Sequence, residues 1–196
     1  MTEDPHLTLD ALFAENRRTQ QEALPQVREA VISAATWIGE CLAADGKILV
    51  CGNGGSAADA QHFASELINR FETPRRALGA IALTTDPSVM TSLANDMGYV
   101  QVFARQIEAL GQPGDLLLAI TTSGHSPNLV TAVRAAHSRR MGVIALSGRD
   151  GGSLVGELTE KDIEIRVPGQ ATARIQEVHL LIIHCLCHLL DHQFTS

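Results

Sequence analysis

The chain has 196 residues, of which 45% are apolar, and its 22 acidic residues against 15 lysines and arginines give a formal net charge of −7. This length is ample for one domain with a hydrophobic core, and the acidic balance argues against a nucleic-acid-binding protein, which normally presents a basic face to phosphates. It does not exclude a small phosphorylated ligand, because a few backbone N–H groups bind phosphate locally.

The N-terminus and the cysteines indicate a cytoplasmic protein. The first ten residues are polar and acidic, unlike those of a signal or transit peptide. The most apolar run, residues 180–190, is interrupted by His184 and His188 and is too short to span a bilayer. Four cysteines without the spacing of a disulfide framework fit a reducing compartment. We therefore expect a soluble chain with neither a membrane nor a nucleic-acid partner.

The first predicted element is a helical stretch from about residue 7 to residue 44, where apolar residues recur every three to four positions. Pro25 lacks a backbone N–H and is expected to divide this stretch into two helices or to open the second. The apolar stripe either packs against partner chains or covers the sheet of its own chain. Asp45 and Gly46 then form a turn.

Short apolar runs bounded by turn residues follow and predict buried strands, with helical patterns between them. The strands are predicted at residues 47–51, 80–83, 116–120, 143–146 and 163–167. The helices are predicted at residues 56–69, 89–94, 102–110, 126–138, 152–158 and 173–191. Such alternation is typical of a parallel sheet covered on both faces. We predict an α/β fold, a doubly wound three-layer sandwich with a five-stranded parallel sheet, in which residues 1–44 form a helical oligomerisation arm and residues 45–196 the main domain.

Two predicted strands end in loops rich in glycine and hydroxyl side chains, CGNGGSAAD at residues 51–59 and TTSGHSPN at residues 121–128. In a doubly wound sheet, ligands bind at the carboxyl ends of strands. Ser56 and Ser126 stand where they can cap the next helix, with Pro127 at a first helical position. Each loop alone is equally consistent with an ordinary strand–helix turn, whereas the two together favour a phosphate site of N–H and O–H donors. Neither is a dinucleotide fingerprint or a P-loop.

His62 and Glu66 lie four residues apart on a predicted helix and project from one face. Such a pair either chelates a divalent metal such as zinc or is an ordinary surface pair, and the spacing alone does not decide. Most histidines of the last helix are expected to be core or interface residues. They are His179, His184, His188 and His192.

Five segments resemble the phosphoheptose isomerases of the sugar-isomerase (SIS) family. They are CGNGGSAADAQHFASELINRFE, ALTTDPSVMTSLANDMGY, AITTSGHSPNLV, GRDGG and ARIQEVHLLIIHCL, and they keep the family's order and spacing over residues 10–194. The resemblance implies the SIS fold and an aldose–ketose isomerase that converts D-sedoheptulose 7-phosphate to D-glycero-D-manno-heptose 7-phosphate for bacterial lipopolysaccharide. It also implies a homotetramer with active sites at subunit interfaces and one zinc ion per subunit.

The same resemblance implies the residues of the site. The zinc ligands are expected to be His62, Glu66, Gln176 and His184. The substrate contacts are expected to be Asn53, Gly54, Gly55, Ser56, Glu66, Asn95, Asp96, Thr121, Thr122, Ser123, Ser126 and Gln176. Glu66 is then the catalytic base and His184 the acid or second base. His125 stands where the family commonly has asparagine, which leaves the role of its side chain open.

Two points of this assignment stay open. Gln176 and His184 are eight residues apart, about 12 Å along a regular helix, which is too far for side chains to share an ion. Either the helix is irregular near Gln176 or the ligands converge from different subunits. Glu66 cannot be a tight metal ligand and a free base at the same moment, so its main role is open as well.

Two other functions are possible on the same fold. A regulator that binds the replication initiator protein resembles the segments INRFET and ARIQEVHLL, but it lacks the full metal set, whereas this chain keeps Glu66 and His184. A sugar-phosphate sensor binds its ligand without converting it and usually carries a DNA-binding domain, and no basic helix-turn-helix segment is visible here. The retained residues favour the enzyme.

Overall fold

The structure is a computed structural model that describes residues 4–195. Over these residues the strands are β1 (Ile48–Gly52), β2 (Ala80–Ala82), β3 (Leu116–Ile120), β4 (Gly142–Gly148) and β5 (Ile163–Val167). The helices are α1 (Pro5–Ala43), α2 (Gly55–Ile68), α3 (Pro87–Met97), α4 (Ala104–Leu110), α5 (Pro127–Ser138), α6 (Gly152–Val155) and α7 (Thr172–Phe194), with a 3₁₀ turn at Tyr99–Gln101.

The sheet has the order β2-β1-β3-β4-β5, and every neighbouring pair of strands is parallel. This confirms the predicted five-stranded α/β sandwich. The chain winds outward in both directions from β1 and β3, so the loops after these two strands diverge onto opposite faces. That topological switch point is where sheets of this order leave a crevice for a ligand.

Successive residues of a strand point to opposite faces of the sheet, and each face has its own core. From β1, Ile48 and Val50 pack under α1, α2 and α7, whereas Leu49 and Cys51 pack under α4 and α5. All four side chains are fully buried. Because both faces are covered, the strands read as continuous apolar runs, which is why the sequence predicted them well.

α1 is one continuous helix of 39 residues, so the expectation that Pro25 divides or opens a helix is wrong. Pro25 lies on the exposed side of the helix, so the carbonyl that loses its helical partner is not buried. Ala23, Val27 and Val31 form a buried stripe on the other side and belong to the same core as the sheet. α1 packs mainly on α7 and β5. The stripe therefore covers the chain's own fold, and the role of residues 1–44 in oligomerisation stays a prediction.

The helical segments before β3 and β5 differ in length from the predicted ones. Asp86 caps α3 by accepting hydrogen bonds from the backbone N–H groups of Ser88 and Val89, so α3 begins before residue 89. It continues to Met97, where Gly98 takes a positive φ of 85°. α6 is a single turn rather than the predicted stretch over residues 152–158.

α7 has 23 residues and continues through His184 and His188 to Phe194. By length and composition alone it is long and apolar enough to cross a membrane, which corrects the expectation of an apolar run too short to do so. Histidine tolerates a helical backbone and does not end the helix there. A buried core helix passes the same test, and α7 packs against α1 and α2.

Candidate functional site

A small pocket lies at the switch point, between the loops that follow β1 and β3. Its volume is about 90 Å³, far below the range of about 300–1,000 Å³ that drug-sized ligands need, so it suits a small group such as a phosphate. Six of the predicted substrate contacts line it together with two apolar side chains. The lining is Asn53, Ser56, Ile120, Thr121, Thr122, Ser123, Ser126 and Leu129.

The first loop enters α2 through Gly54, which is the N-cap and has a positive φ of 57°. α2 begins at Gly55, so the expectation that Ser56 caps this helix is wrong: Ser56 already lies in its first turn. Its side chain lines the pocket instead, and the residue is only 6% exposed. The N-terminal end of α2, with its unpaired N–H groups, therefore faces the pocket.

A pair of amides joins the two loops. Asn53 donates from Nδ2 to Oδ1 of Asn128 at 2.9 Å, and Asn128 donates from Nδ2 to Oδ1 of Asn53 at 2.8 Å. The hydroxyl of Tyr99 donates to the same Oδ1 of Asn53 at 3.2 Å. Sequence reasoning missed both Asn128 and Tyr99. For Asn128 the available signal was its place directly after Ser-Pro at the start of a helix.

The second loop is folded around the hydroxyl of Thr121. This buried oxygen accepts hydrogen bonds from the backbone N–H groups of Gly124, at 3.0 Å, and of Ser123, at 3.4 Å. Pro127 begins α5 as predicted, with Ser126 as the N-cap residue, but the Ser126 side chain makes no capping hydrogen bond and lines the pocket. Hydroxyl groups and two helix N-termini thus surround one small space.

The side chain of His125 turns away from this pocket. Its Nδ1 lies 3.3 Å from Oγ of Ser153 and accepts from the Ser153 backbone N–H at 3.4 Å. His125 therefore anchors the second loop to the start of α6. This gives it a structural role where the sequence left the role open.

A second cluster of polar side chains lies further along α2, where that helix meets α7. Nε2 of His62 is 3.3 Å from Oε1 of Glu66 and 3.2 Å from Nε2 of His184. The ring of His184 stacks on Phe71 with centroids 5.5 Å apart. The His62 and Glu66 side chains are 40% and 23% exposed, so this cluster is open to solvent in a single chain.

Gln176, the remaining predicted metal ligand, lies elsewhere. Its Nε2 donates to Oδ2 of Asp59 at 3.4 Å, and a Cβ added to Gly55 would lie 1.9 Å from the same nitrogen. α7 is continuous between Gln176 and His184, which excludes an irregular helix as the way to bring them together. Burial raises the pKa of the Asp59 carboxyl. Asp59 is a further residue that sequence reasoning missed. The structure thus places Gln176 against the first turns of α2 and His184 in the other cluster.

The predicted substrate contacts Asn95 and Asp96 lie near the C-terminal end of α3. Nδ2 of Asn95 donates to Oδ1 of Asp96 at 2.7 Å, and both residues are exposed. Neither lines the pocket of this chain. The same segment continues to Tyr99, whose hydroxyl reaches Asn53, so α3 ends close to the first loop.

The remaining histidines of α7 divide into two kinds. His179 is fully buried and donates from Nε2 to the carbonyl oxygen of Ser147 at 2.8 Å, as expected of a core histidine. Burial lowers its pKa to about 4. His188 and His192 are exposed in this chain, so they are not core histidines, and an interface position for them stays a prediction.

The cluster of His62, Glu66 and His184 has donors of the kind that zinc prefers, two imidazole nitrogens and a carboxylate. The separations of 3.2 and 3.3 Å match the distance of about 3.3 Å between ligands of a tetrahedral ion with bonds of about 2.0–2.1 Å. Across residues 4–195, however, no three His, Cys, Asp or Glu side chains are arranged to hold one ion. The donors therefore fit zinc in kind and spacing, but among the described residues they do not close around one ion.

The family model and highly similar sequences identify the same family. The SIS-domain family model matches residues 12–148. The chain is 58% identical over 188 residues to a phosphoheptose isomerase of Alkalilimnicola ehrlichii, covering 96% of both chains. It is also 58% identical over 188 residues to one of Halorhodospira halophila, covering 96% of this chain and 95% of that one.

Solved structures agree with this result. A phosphoheptose isomerase from Neisseria gonorrhoeae superposes with a TM-score of 0.92 at 48% identity, covering 96% of this chain and 100% of that one. One from Francisella tularensis gives a TM-score of 0.91 at 44% identity, covering 98% and 100%. These relatives support the enzyme and do not favour the expected alternative, a regulator of replication initiation.

Proposed function

This chain belongs to the phosphoheptose isomerases of the SIS family, and we propose that it converts D-sedoheptulose 7-phosphate to D-glycero-D-manno-heptose 7-phosphate. The observation that carries the proposal is the small pocket at the switch point, lined by Ser56 on one side and by Thr122, Ser123 and Ser126 on the other. These hydroxyls and the N-terminal ends of α2 and α5 suit a phosphate monoester. Binding it there fixes one end of the sugar and so orients the other end for reaction.

The reaction moves one proton from C1 to C2 and one from the oxygen on C1 to the oxygen on C2. The Glu66 carboxylate takes the proton from C1, which leaves an enediolate, and a proton returned to C2 completes the aldose. His184 lies in the same cluster and serves as the acid that exchanges the hydroxyl protons. His62 contacts both side chains and orients them.

The phosphate and the reacting carbons are proposed to lie between two copies of the chain. Ser56 and Glu66 are ten residues apart on α2, about 15 Å along the helix, and the pocket lies beyond its N-terminal end. That separation is longer than an extended heptose phosphate. A substrate held in the pocket of one chain therefore reaches the Glu66 cluster of a neighbouring chain rather than that of its own.

We propose that one zinc ion per subunit is held by His62, Glu66 and His184 of one chain and by Gln176 of a neighbour. The support is the donor spacing in the cluster and the continuity of α7, which keeps Gln176 and His184 of one chain apart. When bound, zinc supplies a Lewis acid that polarises the carbonyl and hydroxyl oxygens. In that state Glu66 has a second role as a metal ligand.

A homotetramer is proposed as the functional form. α1 carries large apolar side chains that one chain leaves exposed, among them Leu9 at 54%, Phe13 at 62% and Leu24 at 55%. Exposed apolar residues along one helix are typical of a surface that another protein covers. By resemblance to the family we further propose a cytoplasmic location and a role in making heptose for lipopolysaccharide.

The proposal is tested with purified protein and D-sedoheptulose 7-phosphate, following the aldose product. Glu66→Gln and His184→Gln are expected to lose at least about a thousandfold in kcat, since each removes a proton-transfer group. Glu160→Gln, which neutralises an exposed carboxylate on a turn, is the matched control and should leave kcat unchanged. Near-normal turnover by Glu66→Gln, or no turnover by the unaltered protein, would overturn the assignment. If the unaltered protein shows no turnover but binds an initiator protein tightly, the regulator is favoured.

The shared site is tested by light scattering and metal analysis. A tetramer is expected, with one zinc ion per chain. Gln176→Ala should lower the bound zinc while preserving the tetramer and the circular dichroism of the fold. A monomer with full turnover would contradict the shared site.

A further inference from the structure

A third group of polar side chains lies at the far end of α7, outside the pocket and outside the His62 cluster. His188 and His192 are four residues apart on the helix, and their Nε2 atoms are 3.1 Å from each other. The two rings cross at 76° with centroids 4.7 Å apart. The His188 side chain is 51% exposed, so solvent ions reach the space between the two nitrogens.

Glu72, on the segment after α2, fixes the orientation of this pair. Its Oε2 lies 2.7 Å from Nδ1 of His188 and accepts a hydrogen bond from it. With the proton on Nδ1, the neutral ring of His188 carries a lone pair on Nε2, directed at His192. A carboxylate that holds one ring nitrogen while the other faces a metal is a recurring arrangement around zinc-binding histidines.

The separation of the two nitrogens also suits a metal ion. Ligands of a tetrahedral ion with bonds of about 2.0–2.1 Å lie about 3.3 Å apart, and the observed value is 3.1 Å. Without a cation, two nitrogens this close share a proton in a hydrogen bond, in which one ring donates and the other accepts. A cation between them allows both lone pairs to be used.

We propose that His188 and His192 form a second metal site, for a divalent late transition ion such as Zn²⁺ or Cu²⁺, with Glu72 holding His188 in its metal-binding tautomer. Imidazole nitrogens suit these ions better than Mg²⁺ or Ca²⁺, which prefer oxygen. Within the described residues no group of three His, Cys, Asp or Glu side chains completes an ion site, so water fills the other positions. The site links α7 to the segment after α2.

The site is tested in the double variant His62→Gln/His184→Gln, which lacks two donors of the other cluster, with Cu²⁺ as the probe. One Cu²⁺ per chain is expected, with the hyperfine pattern of two nitrogen ligands in its electron paramagnetic resonance spectrum. Adding His192→Gln should weaken binding at least tenfold and leave at most one nitrogen. Adding His6→Gln instead, at an exposed histidine of α1, should change neither the Cu²⁺ affinity nor the number of nitrogen ligands.

Two further measurements separate the site from the proposed catalytic metal. In the otherwise unaltered chain, His192→Gln should leave isomerase turnover unchanged. In the His62→Gln/His184→Gln background, Zn²⁺ should raise the melting temperature, and His192→Gln should abolish that rise. Glu72→Gln should weaken Cu²⁺ binding by about 10- to 100-fold, the usual effect of removing a carboxylate behind a histidine ligand. Equal Cu²⁺ affinity with and without His192 would overturn the proposal, whatever the result of the isomerase assay.

Discussion

Arg75, in the segment after α2, and Asp191 of α7 form a buried ion pair, with Nε of Arg75 2.7 Å from Oδ1 of Asp191. Both side chains are almost inaccessible, at 0% and 4% exposed. The same guanidinium donates to the carbonyl oxygens of Glu66, at 2.7 Å, and Leu67, at 2.9 Å, at the C-terminal end of α2. The pair therefore holds the backbone that carries the proposed base against the helix that carries His184.

Removing one partner of this pair should destabilise the protein strongly. Asp191→Ala leaves the Arg75 charge buried without its carboxylate, and the expected loss in the free energy of unfolding is about 3–5 kcal/mol. Urea unfolding followed by circular dichroism measures it. Arg105→Ala, in the exposed Arg105–Glu108 pair, is the control and should cost less than about 1 kcal/mol. Equal losses for the two variants would contradict the role given to the buried pair.

His179 should make the protein less stable in mild acid. Its pKa is lowered by burial to about 4 from an ordinary value of 6.5. Between these two values the unfolded chain binds a proton that the folded chain refuses, so the free energy of unfolding falls as the pH drops, by about 3 kcal/mol in total from this group. Below about pH 4 both states are protonated there, and this contribution stays constant.

Unfolding free energies measured by urea titration from pH 7.5 to 4.5 check this expectation. His179→Gln, which can still donate to the Ser147 carbonyl, should flatten the slope over this range. His6→Gln, at an exposed position, should keep it. The same slope in all three proteins would show that His179 does not cause the loss.

The amide pair of Asn53 and Asn128 should matter for substrate binding more than for the chemical step. Asn128→Ala removes both hydrogen bonds between the two loops, while Tyr99 still contacts Asn53. We expect KM for the sugar phosphate to rise about tenfold, a loss of about 1.4 kcal/mol, with kcat changed less. Steady-state kinetics separate the two constants. A fall in kcat at constant KM would place Asn128 in the proton-transfer step instead.

Two glycines with similar φ values should respond differently to alanine. Gly54 and Gly124 have positive φ values of 57° and 68°, so alanine at either position carries a backbone cost of about 1–3 kcal/mol. A Cβ at Gly124 would lie 1.8 Å from the carbonyl oxygen of Gly151, whereas at Gly54 it meets nothing within 4 Å. Gly124→Ala should therefore lower the melting temperature clearly more than Gly54→Ala. Differential scanning calorimetry of the pair tests this, and equal shifts would exclude the predicted clash.

Local patterns were sufficient for the elements that periodicity and turn residues define. The strands of the sheet are continuous apolar runs because helices cover both of its faces, and β3 (Leu116–Ile120) has the predicted boundaries. The expectation that Pro25 interrupts the helix is wrong. Local propensity predicts that proline ends a helix, whereas the buried apolar stripe of α1 keeps the helix continuous through Pro25. Such an outcome depends on contacts with distant segments.

For the candidate site, too, some features follow from local sequence and others only from tertiary packing. The sequence by itself determined the hydroxyl-rich loops and the pairing of His62 with Glu66, because each lies within a few residues on one element. Only the tertiary structure brought the two loops together across β1 and β3, placed Asn128 against Asn53, and set Gln176 against Asp59 and His184 against His62. These relationships join residues 75 to 122 positions apart, and their geometry follows from the strand order and helix packing, which no local pattern contains.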